Sequence, residues 1–287
     1  MRTITSRQNP LITKFRTARS AGAPRRHLLL DGPRLVGDSH DSKTPIEVAL
    51  FSATALRRRG PLLTELADAL EAAGTEVLAG SDVVMAGASP VRTPSGVVAL
   101  ATHQPCPLDR IIADAGSGLV IAAVGVQDPG NIGAIIRAAE AGDARAVVVT
   151  PGSADPFGWR ALRGAMGSSL RLPVAVVDDL PALIDNVRQR GTRVVAAVPR
   201  GGTGLYEADL TGPRLVLVGQ EGAGLEYDID TYADLRVSVP MRRRVDSLNV
   251  SLATALIIYE ARRQTLRQRR GGRLKNRAGR TAKRSAR

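Results

Sequence analysis

The chain has a single cysteine, Cys106, among 287 residues, so no internal disulfide can form. Three scattered histidines, His27, His40 and His103, give no cluster with zinc-ligand spacing, and no metal is expected. Apolar runs are short. The longest, at 119–126, is strand-sized, far below the roughly 20 residues that cross a bilayer, so no membrane association is expected. The opening MRTITSRQNPLITKF lacks the apolar stretch of a secretory signal. With the lone cysteine, this points to a reducing cytoplasm. Aromatic residues make up 3% of the chain, which argues against recognition built on stacked bases. No G-x-x-x-x-G-K-[ST] phosphate loop and no G-x-G-x-x-G order occurs, which excludes the common nucleotide-binding signatures.

Acidic residues are missing from both ends. Residues 262–287 hold twelve Lys/Arg and no acid, and residues 1–34 hold eight against Asp31 alone. The net charge of +13 therefore sits at the termini, and residues 35–261 carry −6. Basic ends suit a polyanion, because each phosphate contact releases condensed counterions. Charge runs are also often just solvated surface. The N-terminal cluster is interleaved with apolar residues, as on a folded face.

The residues present give an α/β pattern in two parts. Over 1–102, helical spacing falls at 10–21 and 61–73, and strands are expected at 27–30, 45–50, 76–78 and 97–101. Asp31-Gly32-Pro33 reads as a turn. Residues 103–118, with two prolines and two glycines, read as a linker containing a short helix at 108–115. From residue 119 strands and helices alternate. Strands are expected at 119–124, 145–150, 173–177, 193–198, 214–218 and 235–239, with helices at 132–141, 159–169, 180–190 and 249–267. Near-continuous Val/Ile/Leu/Ala strands separated by helices predict a parallel sheet covered on both faces. Such sheets bind ligands at the carboxyl ends of their strands.

Three loops at those ends carry polar residues. The first, VQDPGNIGAIIRAAE (126–140), offers Asn131 as a helix cap and Arg137 among apolar neighbours, where a cation needs a partner. On spacing alone, an ordinary structural ion pair accounts for such an arginine slightly better. The second, GQEGAGL (219–225), holds three glycines, which permit close backbone approach to a ligand. The third, VPMRRRVDSLNV (239–250), combines three arginines with Ser247 and Asn249, either of which can cap the helix that follows.

Together and in this order, these segments resemble the SpoU family of RNA ribose methyltransferases within the SPOUT superfamily. The family patterns D-P-x-N-x-G-x-x-x-R, N-E-G-x-G and I-P-M…S-L-N-V-S-x-A stand here as DPGNIGAIIR (128–137), QEGAG (220–224) and VPM…SLNVSLA (239–253). Gln220 replaces the usual Asn, and Arg243 stands where Gly is common. Residues 1–102, with SRQNP early and SPVRTPSG late, resemble the small ribosomal-protein-like RNA-binding domain that many members carry.

The resemblance implies an RNA-binding domain at 1–102, a methyltransferase domain with a trefoil knot at 119–268, and a disordered basic tail at 269–287. It implies S-adenosyl-L-methionine (AdoMet) as methyl donor, a homodimer, and a 2′-hydroxyl of structured RNA as acceptor, with 23S rRNA ahead of tRNA. A non-catalytic RNA-binding paralogue is the alternative. Carried over by motif, Asn131, Arg137, Glu221, Ser247 and Asn249 form the polar catalytic cluster. Ala197, Gly219, Val239, Met241 and Leu248 bind the cofactor. Arg7, Asn9, Lys14, Arg16, Arg25 and Arg163 meet the RNA.

Overall fold

A computed structural model describes residues 1–19, 27–59, 61–103, 105–219, 225, 229–242 and 245–285. In chain order the elements are β1 (Arg2–Ile4), α1 (Pro10–Arg19), β2 (Leu28–Asp31), α2 (Pro33–Asp41), β3 (Ile46–Ser52), α3 (Ala53–Arg59), α4 (Pro61–Ala72), β4 (Glu76–Gly80), α5 (Asp82–Ala88), β5 (Val97–Ala101) and α6 (Leu108–Ala115). Then follow β6 (Leu119–Val124), α7 (Pro129–Ala141), β7 (Ala146–Val149), α8 (Trp159–Ala165), α9 (Ser168–Arg171), β8 (Val174–Val176), α10 (Leu180–Arg188), β9 (Arg193–Ala197), β10 (Thr203–Gly204), β11 (Arg214–Gly219), α11 (Ile229–Tyr232), β12 (Leu235–Ser238) and α12 (Val250–Ser285). Contacts divide them into two compact units.

The first unit comprises residues 1–106 with 127–137 and 154–174. Its sheet has the order β1-β4-β3-β5-β2. β1, β4 and β3 are parallel, and β5 runs antiparallel to both β3 and β2. Ile12, Phe15, Leu29, Leu50, Leu78, Met85 and Leu100 form its core. Trp159 packs against that core, with the Arg160 guanidinium 5.2 Å from its ring centroid.

The second unit holds the rest of the chain. Its sheet has the order β10-β12-β9-β11-β6-β7-β8, with every pairing from β10 to β7 parallel. All six residues of β6 and all four of β7 are buried, as expected of a sheet covered on both faces.

Several expectations need correction. Asp31-Gly32-Pro33 is not a turn between strands: Pro33 opens α2, its fixed φ suiting the first helical position, after Gly32 at φ 99°. Asn131 does not cap α7. Pro129 starts that helix, and the Asp128 carboxylate accepts the Asn131 N–H at 2.8 Å. The helix expected at 159–169 is two, α8 and α9, separated by Met166 (φ 50°) and Gly167 (φ 83°). β1, α2, α3, α5, β10 and α11 were not foreseen.

Candidate functional site

A cavity of about 400 Å³ lies at the carboxyl ends of three neighbouring strands of the second unit, β12, β9 and β11. Ala197, Val198 and Pro199 leave β9, Val218 and Gly219 end β11, and Val239 and Met241 follow β12. Asp246, Ser247 and Leu248 form another wall, and Val250, Ala253, Thr254 and Ile257 of α12 close it. That helical spacing puts one face of α12 on the cavity. Thr254 is fully buried and gives its hydroxyl proton to the Val250 carbonyl at 2.6 Å, so it contributes methyl rather than polar surface. The lining is mostly apolar side chain interrupted by main chain at strand ends, and the volume falls within the roughly 300–1,000 Å³ usual for small-ligand sites.

The five residues expected at the cofactor, Ala197, Gly219, Val239, Met241 and Leu248, all line this one cavity, as does Ser247. Ser247 itself is exposed at the rim. Asn249 is the helix cap. Its side-chain oxygen accepts from the Ser251 N–H (3.0 Å), the Ser251 hydroxyl (2.6 Å) and, at longer range, the Leu252 N–H (3.4 Å). Asp246, next to Ser247, was passed over in the sequence. It lines the cavity and pairs with Arg200 at 2.7 Å, joining the third motif to the loop after β9. Val198-Pro199 ends β9 much as Val239-Pro240 ends β12, and both strand ends fall within a residue of where they were expected.

Asn131 and Arg137 stand on α7, within the first unit. Arg137 is exposed, not buried in an ion pair. It donates to the Met166 sulfur at 2.9 Å, and among the described residues it meets no carboxylate. A thioether is a weak acceptor, so the guanidinium keeps its capacity for an anion. The left-handed Met166 between α8 and α9 presents that sulfur. Close packing sets the arrangement: a Cβ on Gly133 would collide with the Ala161 carbonyl and come within 2.8 Å of the Ala165 nitrogen, so α7 and α8 can approach only with glycine here. Glu221, Gln220 and Arg243 lie outside the described residues.

Of the residues expected at the RNA, Arg7 donates to the Val83 carbonyl at 2.7 Å, and Arg16 donates to the Gly87 carbonyl at 3.3 Å and the Arg7 carbonyl at 3.5 Å. Both are exposed, and Lys14 is exposed beside them. Asn9 accepts the Leu11 N–H at 3.0 Å and so caps α1. Arg163 is exposed, and its charge acts on Asp31. Burial holds the Asp31 carboxyl above its usual range, against the lowering effects of a Ser89 hydroxyl bond and of Arg163. Arg25 lies outside the described residues.

A parallel sheet with an apolar-walled cavity at its carboxyl edge, in a chain whose first unit carries exposed basic residues, defines a two-part α/β protein built to hold a small ligand. The SpoU rRNA methylase family profile matches residues 118–259. An uncharacterized tRNA/rRNA methyltransferase of Synechocystis is 33% identical over 268 residues, covering 91% of this chain and 93% of that protein. A 23S rRNA guanosine 2′-O-methyltransferase of Bacillus subtilis is 34% identical over 63% of this chain and 71% of its own. Among solved structures, an AdoMet-bound rRNA methyltransferase from Sinorhizobium meliloti superposes with a TM-score of 0.80 at 29% identity, covering 91% of this chain and 97% of that one. The chain belongs to the SpoU rRNA methylase family and is an AdoMet-dependent RNA methyltransferase.

Proposed function

We propose that the protein transfers a methyl group from AdoMet to a ribose 2′-hydroxyl of structured RNA in the cytoplasm, with 23S rRNA as the substrate. The observation that carries this reading is the convergence of Ala197, Gly219, Val239, Met241, Leu248 and Ser247 on one cavity at the carboxyl ends of β9, β11 and β12. Apolar walls interrupted by strand-end main chain fit an adenosyl group and its amino-acid arm: the peptide groups at Gly219, Val239 and Leu248 would recognise the polar edges. When bound, AdoMet supplies a methyl already activated by its sulfonium. The protein's work is then to align the 2′-oxygen and to handle its proton.

Arg137 stabilises the developing alkoxide or grips the neighbouring phosphate, since a guanidinium stays protonated at working pH and makes a poor base. Its exposure without a carboxylate among the described residues supports that role. Asn131 holds the Arg137 guanidinium from the same helix, and Ser247 offers a hydroxyl at the cavity rim. Asn249 holds the start of α12. Glu221 belongs to the same cluster by its place in the second motif. Arg7, Lys14, Arg16 and Arg163 hold the RNA backbone, which positions without specifying sequence. Residues 1–102 serve as the RNA-binding domain and 119–268 as the catalytic one. The name of the Bacillus relative supports 23S rRNA over tRNA.

The family's trefoil knot is part of this reading, supported by membership of the SpoU family. So is a homodimer: Leu252, Leu256 and Tyr259 form an exposed apolar stripe on α12, turned from the cavity-facing residues, and a second copy would cover it.

The test incubates the protein with labelled AdoMet and unmodified rRNA or tRNA, beside Arg137→Ala. The expected outcome is label in rRNA, mapped to a 2′-O-methyl ribose and reduced at least about 100-fold in the variant, with AdoMet binding intact. Label in tRNA alone overturns the substrate. AdoMet binding without transfer to either RNA, or to assembled subunits, leaves the non-catalytic paralogue. Arg137→Lys separates the roles: partial rate with an unshifted pH profile means a cationic anchor, whereas activity rising only through the lysine pKa means a base.

A further inference from the structure

At the other edge of the second unit's sheet, the amino ends of β6 and β11 and the middle of α12 enclose a smaller cavity of about 210 Å³. Arg145, Arg214, Arg262 and Arg269 line it, against one acid, Asp143. Arg214, the first residue of β11, is only 3% exposed. Its Nε and Nη1 have no hydrogen-bond partner among the described residues, and Nη2 reaches only the Thr265 hydroxyl, at 3.4 Å. The carboxylate that acts on it, Asp209, is already engaged. It faces Arg193 at 3.4 Å and accepts from the Thr211 N–H (2.9 Å) and hydroxyl (2.6 Å). Burial first, then Arg193, lower the Arg214 pKa to about 10, so the group remains a cation at neutral pH. A buried, half-bonded guanidinium is costly unless an anion completes it.

We propose that this cavity is a phosphate-binding site, and that its occupant is a backbone phosphate of the substrate RNA. The inference rests on the RNA methyltransferase reading for the identity of the occupant. The volume suits a tetrahedral oxyanion with a few waters better than a whole nucleotide. Arg262 is fixed in place by donating to the Ala141 carbonyl at 2.6 Å, and Arg269 stands exposed at the rim. The helix that carries both, α12, runs on to Ser285 through the acid-free basic segment, so the cavity adjoins a stretch suited to a polyanion rather than to a free ion. Five strand steps lead from Arg214 to Gly219 along β11, roughly 17 Å at strand rise, so the phosphate bound here is remote from the nucleotide being methylated.

The experiment uses the full-length protein and Arg214→Met, which keeps bulk and removes charge. RNA affinity is measured across a salt titration, AdoMet affinity by calorimetry, and thermal midpoints with and without inorganic phosphate. The expected variant folds at least as stably as the parent and binds AdoMet unchanged. It binds RNA about five- to tenfold more weakly, with a salt slope shallower by about one, and loses the stabilisation by phosphate. Arg269→Ala, at the exposed rim, should move RNA binding the same way by less, and it keeps the test readable if Arg214→Met does not fold. A lost phosphate response with unchanged RNA affinity overturns RNA as the source. Unchanged responses to both overturn the site, and Arg214 is then a packing residue. If the parent methylates no RNA, the functional reading fails, while the phosphate response still reports on the cavity.

Discussion

The two ends of β11 differ in kind. At the carboxyl end, Gly219 meets a cavity walled by Val, Ala, Leu and Met with main chain exposed between them. At the amino end, Arg214 opens into a cavity walled by arginines. One strand thus separates an apolar-walled site for a compact ligand from a site for an anion, and α12 lies along both. Val250, Ala253, Thr254 and Ile257 face the first, and Ala261, Arg262, Thr265 and Arg269 the second. Parallel sheets gather ligands at the carboxyl edge because the connecting loops diverge there. Here the amino edge is also furnished, by charge rather than by shape.

The sharpest way to break that comparison is to fill the first cavity. Ala197→Trp would put an indole into the space at the end of β9. AdoMet binding should fall by more than about 100-fold and methyl transfer with it, while RNA affinity and its salt dependence stay at the parent's values. Arg214→Met should give the mirror image. If Ala197→Trp weakens RNA and AdoMet equally, the two ends are not separable and the contrast fails.

Much of the carboxyl edge was legible in the sequence, because the residues that build it are regular. β6 and the interior of β11 are runs of Val, Leu, Ile and Ala, the ends of β6, β11 and β12 fall within a residue of the expected places, and a loop ending a parallel strand is where a ligand belongs. The amino edge was not. Arg214 counts as one more strand residue until tertiary packing buries it, and no local pattern says that Asp209 is engaged elsewhere. Two prolines misled in the same way. Asp31-Gly32-Pro33 and Asp128-Pro129-Gly130 carry turn composition, yet both prolines open helices, where a missing N–H costs nothing. Trp159 lies far along the chain from the core it completes, a contact that periodicity does not encode. At the catalytic end, Arg137 looked like a buried cation from its neighbours Ile135 and Ile136. The helix turns it outward, which only the start of α7 at Pro129 and the packing on Gly133 determine.

A smaller effect sharpens the role of α12 at the carboxyl end. Asn249→Ala removes the oxygen that caps the helix start and should cost about 1 kcal/mol of stability, read by chemical denaturation. Because the same turn carries Leu248 and Val250 on the cavity wall, AdoMet affinity should weaken several-fold, with RNA affinity unchanged. Asn249→Ser, which can still cap, should restore most of both. A loss of transfer that Asn249→Ser does not rescue would mean that the amide acts on the reacting groups rather than through the helix.

The smallest expected effect lies further along the same helix, toward the arginine-lined end. Glu260 is buried, and its carboxylate is clasped by Arg263 at 2.6 and 2.7 Å and by the Gln264 amide at 2.8 Å. Gln264 in turn accepts the Leu210 N–H and donates to the Ala208 carbonyl, tying the segment before β11 to α12. The Arg263 bonds, followed by the Gln264 bond, hold the Glu260 carboxyl below its ordinary value against the opposing pull of burial. A carboxyl depressed in the folded state stabilises it fully above the unfolded pKa and ceases to do so as pH falls through the folded value. Glu260→Gln should therefore lower the urea midpoint at pH 7 by less than Asn249→Ala does, and the difference from the parent should shrink as the pH is taken below about 4. Because the clasp also positions the segment leading into Arg214, phosphate stabilisation should weaken in this variant at pH 7, whereas AdoMet binding should not. A midpoint at pH 7 that Glu260→Gln leaves at the parent's value would mean that Glu260 acts by shape alone, and that the arginine-lined end owes its placement to packing rather than to charge.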